Sequence, residues 1–316
     1  MTLVSIVTPS FNQAVFLEQA MRSVLEQDYP DLEYILIDGG STDGSREIIG
    51  RYADRLAFWS SERDQGQGEA INKGLARSHG GILAWLNSDD YYLPGAVQAA
   101  VRLFEQNPDV CLIYADMLAV DGQDQVTNHL HYRQLDIQDL LCFQIIGQPA
   151  VFMRRAAFEA AGGLDPDFHL LLDHQLWIKI ARQGPILHAD QTWAAARYHP
   201  AAKNRRLALE FGTEAFRLLD WVQSQPELAP VLAPVLRRAR ASAHRLSARY
   251  QLDGGRPGDA ITDWMRALMI HPPTALTRLN IPISAMLEIA GLGTLRRLVL
   301  ERRMRGLQNH TKGDLQ

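Results

Sequence analysis

Only two cysteines occur in 316 residues, and neither belongs to a CxxC pair or sits beside histidines at ligand spacing. That excludes a disulfide scaffold and a cysteine-rich zinc fold, so Cys111 and Cys142 are expected to be reduced structural thiols in a cytoplasmic protein. No uncharged apolar run approaches the roughly 20 residues of a membrane-spanning helix, and residues 1–4 lack a basic signal-peptide region. Any membrane contact is therefore expected to be peripheral. GxxxxGK[ST] is absent, and Gly66 and Gly68 lack the post-strand GxGxxG spacing, which argues against a P-loop and a dinucleotide fingerprint. Basic residues are scarce early: residues 1–200 hold 14 Lys+Arg against 26 Asp+Glu, a net of −12. Acidic ones are scarce later, since residues 201–316 hold 18 against 10, a net of +8. Nucleic acid is not expected as a partner, whereas the basic end suits an anionic surface.

What is present is 47% hydrophobic and 22% charged, ordinary for a chain that can bury a core. Strand and helix signals alternate over residues 3–119, the pattern of an α/β sheet, mostly parallel and flanked by helices. Apolar runs at 4–8, 34–38, 57–60, 82–86 and 111–114 read as strands. Between them, Phe16, Leu17, Ala20, Met21 and Val24, then Ile71 and Leu75, then residues 96–104, carry helical spacing. Each of the first four strands ends in polar or glycine-rich residues: Ser10 and Asn12, Asp38, Asp64 and Gln65, Asp89 and Asp90. In an open α/β sheet such ends converge on one crevice. After a turn at Asp121-Gly122, further strands are expected at 150–153 and 193–198, and a helix around Leu176, Trp177 and Ile180. We expect a catalytic domain over 1–203 and a helical region over 204–316, whose pair near 240–271 suggests a single tetratricopeptide-like unit.

Asp89 and Asp90 are the most informative pair. The apolar run 82–86 is that of a central strand covered on both faces, and it leads directly into two adjacent carboxylates. Their repulsion costs energy unless a cation or a ligand's donors offset it, so the pair reads as a divalent-metal and sugar-nucleotide site. Hard oxygen ligands suit Mg²⁺ or Mn²⁺. Asp38 can accept hydrogen bonds from a base or ribose or close an Asx turn, a capping role that Asp43 or Ser41 fits better. Asp173, just before the apolar Leu176-Trp177, is the candidate general base, or the N-cap of its helix.

Six segments occur in the order and spacing of a known family. They are Ser5-Ile-Val-Thr-Pro-Ser-Phe-Asn12, Ile37-Asp-Gly-Gly-Ser-Thr-Asp-Gly-Ser45, Asp64-Gln-Gly-Gln-Gly-Glu-Ala-Ile-Asn-Lys-Gly74, Leu86-Asn-Ser-Asp-Asp-Tyr91, Gln148-Pro-Ala-Val-Phe152 and Leu172-Asp-His-Gln-Leu-Trp177. Together they resemble family 2 of the inverting glycosyltransferases, of GT-A fold, over residues 3–200. The resemblance implies a metal on Asp90, a ribose or supporting role for Asp89, and a nucleotide-base pocket framed by Pro9, Ser10, Phe11, Asn12 and Asp38. Asp64 can bond the base, and Lys73 can meet phosphate or be a solvated helix charge; the resemblance further places Arg197 and His199 near the leaving diphosphate, a lone histidine being otherwise a bonded structural residue. Gln148-Pro149 would shape the acceptor side. Ser88 and Leu172 stand where the family usually has acids.

The expected activity is inverting sugar transfer from a nucleoside-diphosphate sugar, a UDP-sugar foremost, to a saccharide or lipid-linked acceptor. A nucleotidyltransferase would need a glycine-rich, arginine-containing loop where Pro9-Ser10-Phe11-Asn12 stands. The alternative from another class is a silent nucleotide-sugar binder or scaffold. Over 276–305, apolar Ile281, Ile283, Met286, Leu287, Leu295, Leu298 and Val299 alternate with Arg296, Arg297, Arg302, Arg303 and Arg305. That pattern suits either an interfacial amphipathic segment or a packed helix with a solvated face.

Overall fold

The computed structural model describes residues 2–199 and 202–293. Its elements run β1 (Val4–Ser10), α1 (Ala14–Leu25), β2 (Leu32–Asp38), α2 (Ser45–Arg51), β3 (Phe58–Ser61), α3 (Gln67–Leu75), β4 (Ile82–Trp85), β5 (Tyr91–Tyr92), α4 (Ala96–Gln106), β6 (Leu112–Val120), β7 (Val126–Leu130), α5 (Ile137–Leu141), β8 (Val151–Arg154), α6 (Arg155–Ala160), α7 (Leu172–Ala181) and β9 (Ile186–Arg197). Helices follow: α8 (Lys203–Arg206), α9 (Ala208–Ser224), α10 (Ala229–Leu232), α11 (Leu236–Asp253), α12 (Pro257–Ile270), α13 (Pro272–Leu276) and α14 (Asn280–Ile289). The chain divides into two units. The first comprises Met1–Asp124, His129–Asp136 and Ile146–Arg197; the second comprises Gln125–Asn128, Ile137–Ile145 and everything from Tyr198 on.

The sheet has nine strands, eight of them in the order β3-β2-β1-β4-β8-β6-β9-β5. β1, β2, β3 and β4 pair in parallel, as do β6 and β9, while β8 runs antiparallel to β4 and β6, and β5 to β9. β1 is buried at every position and β4 likewise; β4 reads as an unbroken apolar run, while β1 interleaves Ser5, Thr8 and Ser10 with its apolar residues. α1 lays Leu17, Ala20, Met21 and Val24 into the core at helical spacing. α3 carries Gly74 in its last turn, where glycine lowers helix propensity relative to alanine. A Cβ at Gly74 would stand 2.5 Å from Val7 Cγ1, so the missing side chain lets α3 sit directly on β1.

Chain order puts β2 and β3 on one side of β1 and β4 on the other. The β1/β4 seam is thus where the winding direction reverses, and the last pair there is Val7 with Trp85. Pro9 and Ser10 continue β1 against β2 alone, opposite Ile37 and Asp38. Beyond Val7 the two strands part, opening a crevice at their carboxyl ends.

The second unit is alanine-rich because its helices approach closely. Ala241, Ala248, Ala260, Ala267, Ala275 and Ala285 build one core with Leu252, Trp264 and Ile281. The helix pair expected near 240–271 is α11 and α12. Among the described residues no helix is long and apolar enough to cross a membrane. All five arginines singled out at 276–305, and Leu295, Leu298 and Val299, lie outside the described residues.

Candidate functional site

Two loops meet at the carboxyl ends of β1 and β2. Asn12 takes a left-handed conformation (φ 51°), an arrangement that asparagine tolerates better than most residues. Its side chain accepts from Thr42 N (2.9 Å), and its own amide donates to Ser41 Oγ (2.7 Å). Asp43 accepts from Ala14 N (2.9 Å), capping α1 from a distant loop, and from Ser45 N and Oγ. Burial opposes ionisation of Asp43, but these bonds outweigh it and hold its carboxyl below the usual range. Asp38 is fully buried and accepts from Gly40 N (3.2 Å), Ser41 N (2.9 Å), Ser41 Oγ (2.5 Å) and Ser61 Oγ (2.6 Å). Three of these donors converge on Oδ2 and one, Ser41 Oγ, on Oδ1. Asp38 therefore takes the Asx-turn role and braces the loop. Asp64 comes against it: a Cβ on Gly39 would lie 2.9 Å from Asp64 Oδ2, so the glycine makes room for the acid. Burial pushes the Asp64 carboxyl up, against the Gly66 amide that donates to it (2.9 Å).

The acidic pair stands across the seam. Asp90 is 6% exposed; its Oδ1 accepts from Arg197 N (2.9 Å) and its Oδ2 from Asn87 Nδ2 (3.2 Å). Burial first, and then the charge on Asp89, push the Asp90 carboxyl well above the usual carboxylate range. Asp89 is only half-buried. Asn87 also donates to Gln148 Oε1 (3.0 Å) and accepts from Gln67 Nε2 (2.7 Å), while Gln148 Nε2 donates to Trp85 O (2.8 Å). This amide chain ties α3, the end of β4 and the turn before β8 into one wall. Ser10 Oγ and Trp85 Nε1 are buried polar atoms with no hydrogen-bond partner, as expected where a ligand completes a site.

Asp173 begins α7, half-buried. Four residues on, Trp177 stacks on Trp85 at 5.1 Å between centroids. Positions i and i+4 share a helix face, so Asp173 stands about 6 Å along the axis from the Trp177 stack. Asn72 of α3 bonds Leu164 N (3.0 Å) and O (2.8 Å), and Lys179 Nζ bonds Gly163 O (2.6 Å). Both ties lie toward the C-terminal halves of α3 and α7, leaving Gln67 and Asp173 at the other ends of their helices.

Arg197 reaches the acidic pair and braces it: its guanidinium bonds Asp89 O (2.5 Å), Gln19 Oε1 (2.7 Å) and Asp124, with the rings of Phe16 and Tyr91 4.4 and 5.4 Å away, while its Nε is buried with no hydrogen-bond partner. Two expected donor contacts are placed differently. Lys73 pairs with Glu62 (3.0 Å) on the exposed side of α3. His199 is buried in the second unit, where its carbonyl accepts from Ala202 N (3.0 Å). Sequence reasoning missed Gln67 and Asn87 as wall-forming residues, although both lay inside quoted motifs.

A reversal seam with an acidic pair beyond its carboxyl end is the ligand-binding crevice of an open α/β sheet, and solved structures bear the fold out. The mannosyltransferase PcManGT of Pyrobaculum calidifontis, solved with GDP-Man and Mn²⁺, superposes with a TM-score of 0.62 at 19% identity, covering 97% of this chain and 87% of that one. S. aureus TarS 1–349 with UDP-GlcNAc superposes at 0.60 and 14% identity, covering 90% and 92%. The fold is GT-A. Residues 5–160 match glycosyl transferase family 2, and the glycosyltransferase TuaG of Bacillus subtilis (strain 168), named for teichuronic acid biosynthesis, is 30% identical over 188 residues, 58% of this chain and 73% of TuaG. The chain belongs to glycosyl transferase family 2. It spans 36% of the length of an uncharacterized glycosyltransferase of Rickettsia conorii (28% identical, 66% of this chain) and 65% of one from Rickettsia typhi.

Proposed function

We propose that this chain is an inverting, metal-dependent glycosyltransferase, moving a sugar from a nucleoside-diphosphate sugar to an acceptor hydroxyl in polysaccharide or lipid-linked glycan assembly. The observation that carries the reading is the buried Asp90 beside Asp89 at the reversal seam, beyond the strand end whose Trp85 stacks on Trp177 of the helix that carries Asp173 in its first turn. The oxygen-only donors of the pair fit Mg²⁺ or Mn²⁺, and two adjacent, partly desolvated carboxylates are what a divalent cation would relieve. Asp90 would hold the ion with Asp89 beside it or on the ribose. When bound, the ion neutralises charge on the departing diphosphate.

Asp173 takes the proton of the acceptor hydroxyl as that oxygen attacks the anomeric carbon. The new C–O bond forms on the face opposite the breaking bond to the diphosphate, so configuration inverts and no sugar–enzyme bond is needed. Ser10, at the end of β1, Asn12, tied to the Asp38-held loop through Ser41 and Thr42, and Asp64, after β3, would line the base side. The polysaccharide setting follows TuaG's name, and a UDP-sugar is the first donor to try.

Leu279, Ile283, Met286 and Ile289, 48 to 61% exposed at helical spacing in the second unit, suit peripheral contact with an anionic bilayer on the cytoplasmic side. Absence of co-sedimentation with anionic vesicles removes that part. The activity is tested by nucleoside diphosphate release from UDP-, GDP- and dTDP-sugars with Mn²⁺. One donor should be turned over; neither turnover nor binding of any donor overturns the reading.

A further inference from the structure

A second cluster lies in the first unit, away from the seam. β6 and β9 pair in parallel, but the register jumps on both sides of Asp116: Ala115 faces Ala189, Asp116 faces Thr192, and Met117 faces Ala194. A bulge re-aims the side chain at which it falls. Here it presents Asp116, 3% exposed, to three of the chain's ten histidines. His131 Nδ1 lies 2.7 Å from Asp116 Oδ2, and His188 Nε2 lies 2.8 Å from Oδ1, which also accepts from Tyr132 N (2.9 Å). The His129 and His131 rings lie 3.9 Å apart between centroids, tilted by 37°, and His129 Nε2 meets Thr192 Oγ1 (2.8 Å). One ligand atom each from Asp116, His129 and His131 lie within 4.8 Å of one another.

We propose that Asp116, His129 and His131 form a transition-metal site of the Zn²⁺ class, with His188 and Thr192 orienting its ligands. Two imidazoles and a carboxylate with a fourth position open is a zinc donor set, whereas the oxygen-only Asp89–Asp90 pair selects harder ions. Closing to zinc–nitrogen distances of about 2.0–2.1 Å needs small ring movements. His131 can make them cheaply, since its side chain is 65% exposed. His188 on the second carboxylate oxygen and Thr192 on His129 are the outer partners that fix ligand orientation. Along β6, Asp116 precedes Val120, the partner of Arg197, by four residues, about 13 Å of strand. The site is therefore separate from the acidic pair, and its ion would pin the His129–His131 segment to the β6 bulge.

The experiment is calorimetric titration of Zn²⁺ into the chelator-stripped full chain, with Co²⁺ absorption as the geometric readout. One Zn²⁺ per chain is expected, with binding lost in His131→Ala and in His129→Ala and weakened roughly 10-fold in His188→Ala. Asp90→Asn should leave it unchanged, so this result is independent of the proposed activity. His131 is exposed, so its variant tests binding without threatening the fold. No zinc uptake, or equal uptake by the His129 and His131 variants, overturns the site.

Discussion

At the scale of single residues, the acidic pair works only if something holds it. Asp90 takes its two bonds from Asn87 and the Arg197 amide, and Arg197 in turn spans Asp89, Gln19 and Asp124. Lysine cannot reproduce that fork. Arg197→Lys should weaken Mn²⁺-dependent donor binding by about tenfold with kcat changed less, read from donor KM against kcat. Asp173→Asn should do the reverse: proton removal belongs to the transition state, so turnover falls roughly 10²–10⁴-fold while donor affinity stays near wild type. Wild-type turnover in that variant contradicts the base assignment. The pair and Asp173 were legible because carboxylates at a strand end or a helix start stand out locally. The bracing role of Arg197 was not, since Gln19 and Asp124 are 178 and 73 residues away in sequence.

Among elements, β1 to β4 could be read directly: β1, β2 and β4 are largely buried parallel strands rich in apolar residues, β3 is a short half-buried edge strand, and the polar residues after them mark the crevice. β6 and β9 could not be read in full. They were expected at 111–114 and 193–198, but run Leu112–Val120 and Ile186–Arg197, because polar Asp116, His188 and Thr192 on their paired stretch mask the apolar signal. β5, two residues long, exists only through β9, and the antiparallel direction of β8 is a tertiary fact that no periodicity encodes. Where α3 meets β1 the fit is tight. Gly74→Ala should improve helix propensity yet cost about 1–3 kcal/mol through overpacking on Val7, measured by denaturant unfolding. A stabilised variant would mean the helix sits less closely than described.

For the molecule as a whole, the two units carry different physics: an apolar sheet with acidic loops, and an alanine-packed helical unit with a buried acid. Asp263 accepts from Ser247 Oγ (2.6 Å) and His244 Nδ1 (3.1 Å), and pairs with Arg266 (3.2 Å). Burial raises its carboxyl, but these partners prevail and hold it below the usual range. The stabilisation is then fully present above the unfolded value of about 3.9 and is lost as pH falls through the lower folded value. Asp263→Asn should cost about 1–3 kcal/mol near neutral pH, with the gap to wild type closing below about pH 4. A gap independent of pH would show that the carboxylate charge is not what matters. The central claim, that Asp90 and its neighbour present an ion to a sugar nucleotide, is tested most directly by calorimetry of nucleotide-sugar binding with and without Mn²⁺. Wild type and Asp173→Asn should bind one donor in a Mn²⁺-dependent way and Asp90→Asn should not; equal binding by Asp90→Asn, or binding indifferent to Mn²⁺, would contradict it.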